Sequence, residues 1–138
     1  MKLYATYDSR NFFIAKNSTL PILKYPLIQS LREQYDITDD MMENVAVTFS
    51  MKDADSGVYR IANVAGSLVI NRDRPEYPDE VEYTLTYKFK PSQTTKQGRF
   101  IGEFKLDFLG ENCGKITLPN DTPFQIIIGD SVTKTTVV

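Results

Sequence analysis

The stretch Arg99–Leu109 alternates in character. Phe100, Phe104, Leu106 and Phe108 stand at even positions, and Glu103, Lys105 and Asp107 at odd ones. Successive side chains of a β-strand point to opposite faces, so this pattern predicts a half-buried strand with aromatic rings inward and charges outward. The cluster Gly110–Gly114 then turns the chain, and two short apolar runs follow within Lys115–Ile128 at hairpin spacing. Two other stretches repeat the alternation. Val45, Val47, Phe49 and Met51 share one parity, as do Tyr83, Leu85, Tyr87 and Phe89.

Around these strands the rest of the chain reads in short pieces. Residues 1–14 suit two short strands about a turn, or an arm that docks on a neighbour. Pro21 and Pro26 make the apolar stretch 17–28 an edge strand or an extended arm, because proline cannot donate to a ladder. Leu27, Ile28, Leu31 and Tyr35 recur at three- and four-residue intervals and predict a short helix, and Thr38 or Asp39 is placed to cap a turn. Val58–Ala65 is the expected hairpin partner of Val45–Met51, with Gly66–Ile70 continuing it or starting another strand. Residues 71–80 and 91–98 read as loops. The tail, residues 131–138, is a last strand or an arm across a neighbouring subunit. The sum is a single all-β domain over residues 1–138. Its expected form is an immunoglobulin-like antiparallel β-sandwich of about seven to nine strands with room for one short helix.

Composition narrows the chemistry. Apolar residues at 41% and charged residues at 25% argue against disorder. A net charge of −2 with interspersed signs gives no basic stripe for nucleic acid or anionic membrane, so neither is an expected partner. No apolar run approaches the roughly 20 residues of a membrane helix. Residues 1–8 lack the continuous apolar core of a signal peptide, which predicts a protein made in a cytoplasm. With no histidine and the single Cys113, the chain has no Ser–His or Cys–His nucleophile pair, no usual transition-metal set and no internal disulfide.

Each remaining cluster has a plain reading beside the chemical one. Asp53-Ala-Asp-Ser-Gly57 is like the opening of a calcium loop, but its glycine stands one place early and no distal glutamate follows. A tight turn between strands is preferred. Asp36, Asp39, Asp40 and Glu43 could pair carboxylates, yet acids at turns and helix starts are routine. Cys113 beside Lys115 is read as a passive turn thiol. Phe12, Phe13 and the strand aromatics could stack nucleobases, but strict alternation favours a core. Gly110, Gly114 and Gly129 form no phosphate cradle. No catalytic, cofactor-binding or metal-binding residue is therefore expected.

A family resemblance carries the functional expectation. Ile37-Thr38, Val45–Met51 and, after a turn, Gly57–Ile61 resemble the N-terminal domain of phage baseplate upper proteins. Gly98–Phe104 and Pro123–Ile128 fill the places of that family's later strands. The likeness spans roughly residues 36 to 129, and departs from the family at Asp39 and in the loop 71–80. It implies a non-enzymatic structural protein of a tailed-phage virion, an adaptor of tail, neck or baseplate. The partners implied are other virion proteins and further copies of the chain in a ring, and the place of work is the virion. A capsid decoration protein is the nearest variant. A carbohydrate- or ligand-binding module is the alternative from another class, with Tyr77 as its one loop aromatic.

Overall fold

The computed structural model describes residues 11–73, 76, 81–110, 114–119 and 124–129. They form β1 (Asn11–Ala15), β2 (Leu23–Leu27), α1 (Gln29–Gln34), α2 (Asp39–Met42), β3 (Val45–Asp53), β4 (Tyr59–Ala65), β5 (Ser67–Asn71), β6 (Glu82–Tyr87), β7 (Gly98–Phe108), β8 (Gly114–Leu118) and β9 (Phe124–Gly129). The fold is all-β, two sheets face to face. One has the order β1-β9-β7-β3-β4, with β8 also on β7; the other is β2-β6-β5.

β7 is the spine of the larger sheet, and its alternation sets both its faces. Phe100, Phe104, Leu106 and Phe108 are buried, while Ile101, Glu103, Lys105 and Asp107 line the other side. β3 runs antiparallel along one edge of β7, from Val45 opposite Phe108 to Asp53 opposite Phe100. The other edge is covered by two strands end to end. β8 pairs with Phe104–Phe108, and β9 pairs with Gly98–Gly102. Glu103 falls between the two paired stretches. The two short apolar runs expected after β7 are thus two strands in line along one of its edges.

Two expectations need correction. The sandwich is not wholly antiparallel, since β1 runs parallel to β9, Phe12 beside Ile126 and Ile14 beside Ile128. Parallel neighbours need a long crossover, and here nearly the whole chain lies between them. There are also two short helices where one was expected. α1 ends with Asp36 at φ 56, with Asp36 N–H donating to the Glu33 carbonyl and Ile37 N–H to that of Arg32. This is the Schellman arrangement, with aspartate in the left-handed position that glycine usually holds. Thr38 Oγ1 then accepts the Met41 N–H at 3.3 Å, so Thr38 caps α2 and Asp39 and Asp40 fall in its first turn. The stop and the restart are separated by a single residue.

Residues 11–28, open between arm and edge strands on sequence, lie in the sheets. β1 buries Phe12 and Ile14, and β2 buries Leu23, Tyr25 and Leu27 as an edge strand on β6. Pro26 is tolerated there because an edge strand has a row of N–H positions without ladder partners. The segments 1–10 and 131–138 lie outside the described residues.

Aromatic rings join the sheets. Phe49 of β3 stacks on Tyr87 of β6 at 4.5 Å between centroids, and meets Phe104 at 5.1 Å and Phe89 edge-on at 5.9 Å. Tyr25 of β2 meets Phe124 of β9 edge-on at 5.1 Å. Such pairs are worth about 0.5–1.5 kcal/mol each beyond their buried area. Gly102 makes room for them. A Cβ there would stand 2.6 Å from Ile126 Cδ1 and 3.0 Å from Phe49 Cζ. Gly66, the single residue between β4 and β5, is as confined: a Cβ would lie 3.1 Å from the Thr86 carbonyl oxygen and 3.2 Å from Val47 Cγ1.

Replacing Gly102→Ala should therefore cost about 1–3 kcal/mol, because both neighbours are fully buried and must leave their rotamers. Urea unfolding monitored by tyrosine fluorescence measures the loss, and an unchanged midpoint would show that the core yields freely.

Candidate interaction surface

The acidic candidates are dispersed by the fold. Asp53 closes the β3–β4 turn. Its carboxylate accepts the N–H groups of Asp55 at 2.9 Å and Ser56 at 3.0 Å, and Gly57 takes φ 76 as the turn requires. These backbone donors, Ser56 first and then Asp55, hold the carboxyl below the ordinary carboxylate range against partial desolvation, and Lys96 at 3.8 Å adds to them. The turn reading of Asp53–Gly57 accounts for its polar groups.

Asp39 faces Arg32 at 3.4 Å and accepts the Tyr83 hydroxyl at 3.0 Å. Glu43 pairs with Arg72 at 3.1 Å. Asp36 sits at the end of α1, and Asp40 in the first turn of α2. Among the described residues no cluster of acids, cysteine or histidine is arranged to hold a metal. Arg32 is the hub of this corner. Its Nε donates to the Leu27 carbonyl at 3.0 Å, one Nη to that of Val81 at 3.4 Å, and its guanidinium covers the Tyr83 ring at 4.9 Å. Burial, then the bond to Asp39, raises the Tyr83 phenol above its ordinary value; burial likewise raises Tyr87, whose hydroxyl donates to Gln93 Oε1 at 2.9 Å. Both phenols remain neutral donors where the fold is stable. Among the described residues no buried side-chain N or O atom lacks a partner.

The strand aromatics Tyr83, Tyr87, Phe89, Phe100, Phe104 and Phe108, with Phe12, belong to the core. Phe13 does not: it is 65% exposed on the outer face of the larger sheet, in line with Ile127 and Arg99. Cys113 and Tyr77 lie outside the described residues.

Eight large apolar side chains stand exposed among the described residues, Phe13, Tyr59, Val69 and Ile70 on strands and Leu20, Ile28, Val58 and Leu109 between elements. A shallow groove of about 290 Å³ runs where the chain crosses between sheets, lined by Val64–Ser67 on one side and Thr86, Tyr87, Lys88 and Lys90 on the other. Sequence reasoning singled out the terminal segments as contact surfaces and passed over β5. Its signal was legible: Gly66–Asn71 carries no charge and no proline.

Compared with protein-family models, with curated proteins and with solved structures, the chain finds no match in any of the three.

Because its folded carboxyl lies below the unfolded value of about 3.9, Asp53 contributes stability above that pH and loses it as pH falls through the folded value. Asp53→Asn keeps an acceptor that does not titrate. Thermal melts from about pH 6 to about pH 2.5 should thus fall less steeply for the variant than for the wild type. Arg32→Ala strands the Leu27 and Val81 carbonyls and should cost about 2–3 kcal/mol in urea unfolding, with Arg32→Lys recovering only part because ammonium lacks the planar fork.

Proposed function

We propose that this chain is a non-enzymatic structural protein of a tailed-phage virion, an adaptor of tail, neck or baseplate that works by packing against copies of itself and other virion proteins. The observation that carries this reading is where the exposed apolar side chains lie. Phe13, Tyr59, Val69 and Ile70 occupy sheet edges and an outer sheet face, positions suited to contact with another folded surface. Meanwhile Asp39, Asp53, Glu43 and the phenols of Tyr83 and Tyr87 are engaged in contacts that hold the fold. The resemblance to baseplate upper proteins adds support from a second direction. Its segments Val45–Met51, Gly98–Phe104 and Phe124–Ile128 fall on β3, β7 and β9, which are neighbours in one sheet.

Light scattering of the purified protein across a concentration series tests the reading. A ring-sized mass is expected. A strict monomer that binds a sugar on a glycan array would replace the adaptor with a ligand-binding module. Deleting residues 1–10 stops short of β1 and spares Phe12 and Ile14, so retained folding with lost assembly would assign that segment to the subunit contact.

A further inference from the structure

Among the described residues five strands are paired on one side only: β1, β4 and β8 in the larger sheet, β2 and β5 in the smaller. An edge strand presents alternate N–H and carbonyl groups with no ladder partner, and folded proteins guard such edges with proline, charge or bulges. β2 has Pro26 and Lys24, β8 has Lys115 with Pro119 directly after it, and β1, although free of charge and proline, has a further partner at Asn11. β4 carries Arg60, two register shifts against β3, and Asn63 at φ 52. β5 has none of these. Ser67-Leu-Val-Ile-Asn71 is neutral, regular and paired on one side only, in register with β6 from Thr86 to Glu82. Among the described residues no further backbone bond involves it.

We infer that β5 is a self-pairing edge, joining antiparallel to β5 of a second copy to make one sheet of the order β2-β6-β5-β5-β6-β2. The register follows from the side chains. Residues opposite one another in an antiparallel pair point to the same face, so a two-fold contact must match inward with inward positions. Leu68 and Ile70 point inward, opposite Leu85 and Tyr83 of β6, whereas Ser67, Val69 and Asn71 point outward. Centring the two-fold axis on Val69 respects this and uses the whole strand. It sets Val69 against its own copy, Leu68 against Ile70, and Ser67 against Asn71. Each pair is like with like, apolar on apolar and polar on polar.

Burial points the same way. Ile70 faces the interior yet is 38% exposed, because β5 ends its sheet and no described strand pairs with its other side; Leu68 of the second copy would lie there. Val69, at 51% exposed, would lose its open side to the symmetric valine. The two-fold axis sets Val69 against its own copy, where a charge would meet its own sign, and the strand carries none at any position. A partner of different chemistry would have no such requirement. A contact made by one five-residue strand is of the small kind, so the dimer belongs to the weak, micromolar-to-millimolar class. An isologous contact closes at two copies, so it stands apart from ring formation and does not rest on the virion reading.

Sedimentation velocity of the full chain over a concentration series, with Val69→Lys, Val69→Glu and Val69→Thr, tests it. Val69 is outward and exposed, so thermal melts of the variants should stay near the wild type. The wild type and Val69→Thr should dimerise. Either charged variant alone should weaken the dimer roughly tenfold or more by placing like charges face to face. An equimolar mixture of Val69→Lys with Val69→Glu should restore it, since opposite charges then meet at the axis. A wild type that stays monomeric at millimolar concentration overturns the proposal. So does a dimer indifferent to the charged variants, or one that the mixture fails to restore. A larger oligomer unaffected by all three variants would also overturn it, while leaving assembly through other surfaces standing.

Discussion

The ring of Phe49 fills space that Gly102 leaves empty, and the sandwich is built around that fit. Phe49 comes from β3 and Gly102 from β7, adjacent strands of the larger sheet; the ring then stacks on Tyr87 of the smaller one. A side chain at position 102 would push against Phe49 and Ile126 together. Interiors packed to crystal-like density cannot absorb such an intrusion locally, so the glycine holds both the inter-sheet distance and the order of rings across it. Phe104, Phe89 and Phe124 extend the cluster, and Tyr25 carries it to the outer strand of the smaller sheet.

The polar groups close the structure at its ends. Asp53 organises one turn through backbone N–H groups, and Arg32 ties β2, the approach to β6 and α2 into one corner. Thr94 is fully buried, yet its hydroxyl donates to the Ser18 carbonyl, joining the loop before β7 to the turn after β1. The contacts of Thr94 and Arg32 satisfy part-buried groups that would otherwise cost about 1–3 kcal/mol each. Within the acidic stretch 36–43, Asp39 and Glu43 face different partners, Arg32 and Arg72.

Much of this was legible beforehand where one side chain reports on the next. The alternations in 45–51, 83–89 and 100–108 each became a strand with the expected face buried, and Asp53–Gly57 became the turn between β3 and β4. The three-and-four spacing of 27–35 became α1, but α2 was read only as a turn, because Asp39–Met42 is too short to show a period. Phe12 and Phe13 illustrate the limit. Adjacent and identical, they take opposite fates because β1 sends one ring to the core and the other to solvent. For β5, five residues gave the alternation too little length to show which side would be left open.

By itself, the sequence determined that this chain would be β, where its main strands would lie and which face of each would be buried, because side-chain alternation is a property of neighbours along the chain. Only the tertiary structure decided which strands meet. It set β1 parallel to β9, laid β8 and β9 end to end along β7, and at Gly66 passed the chain from one sheet to the other. Those choices depend on contacts between residues far apart in sequence, where volume and register must be satisfied together. They also decided that Val69 and Ile70 would stand at an open edge, for an edge exists only once every other strand has found its place.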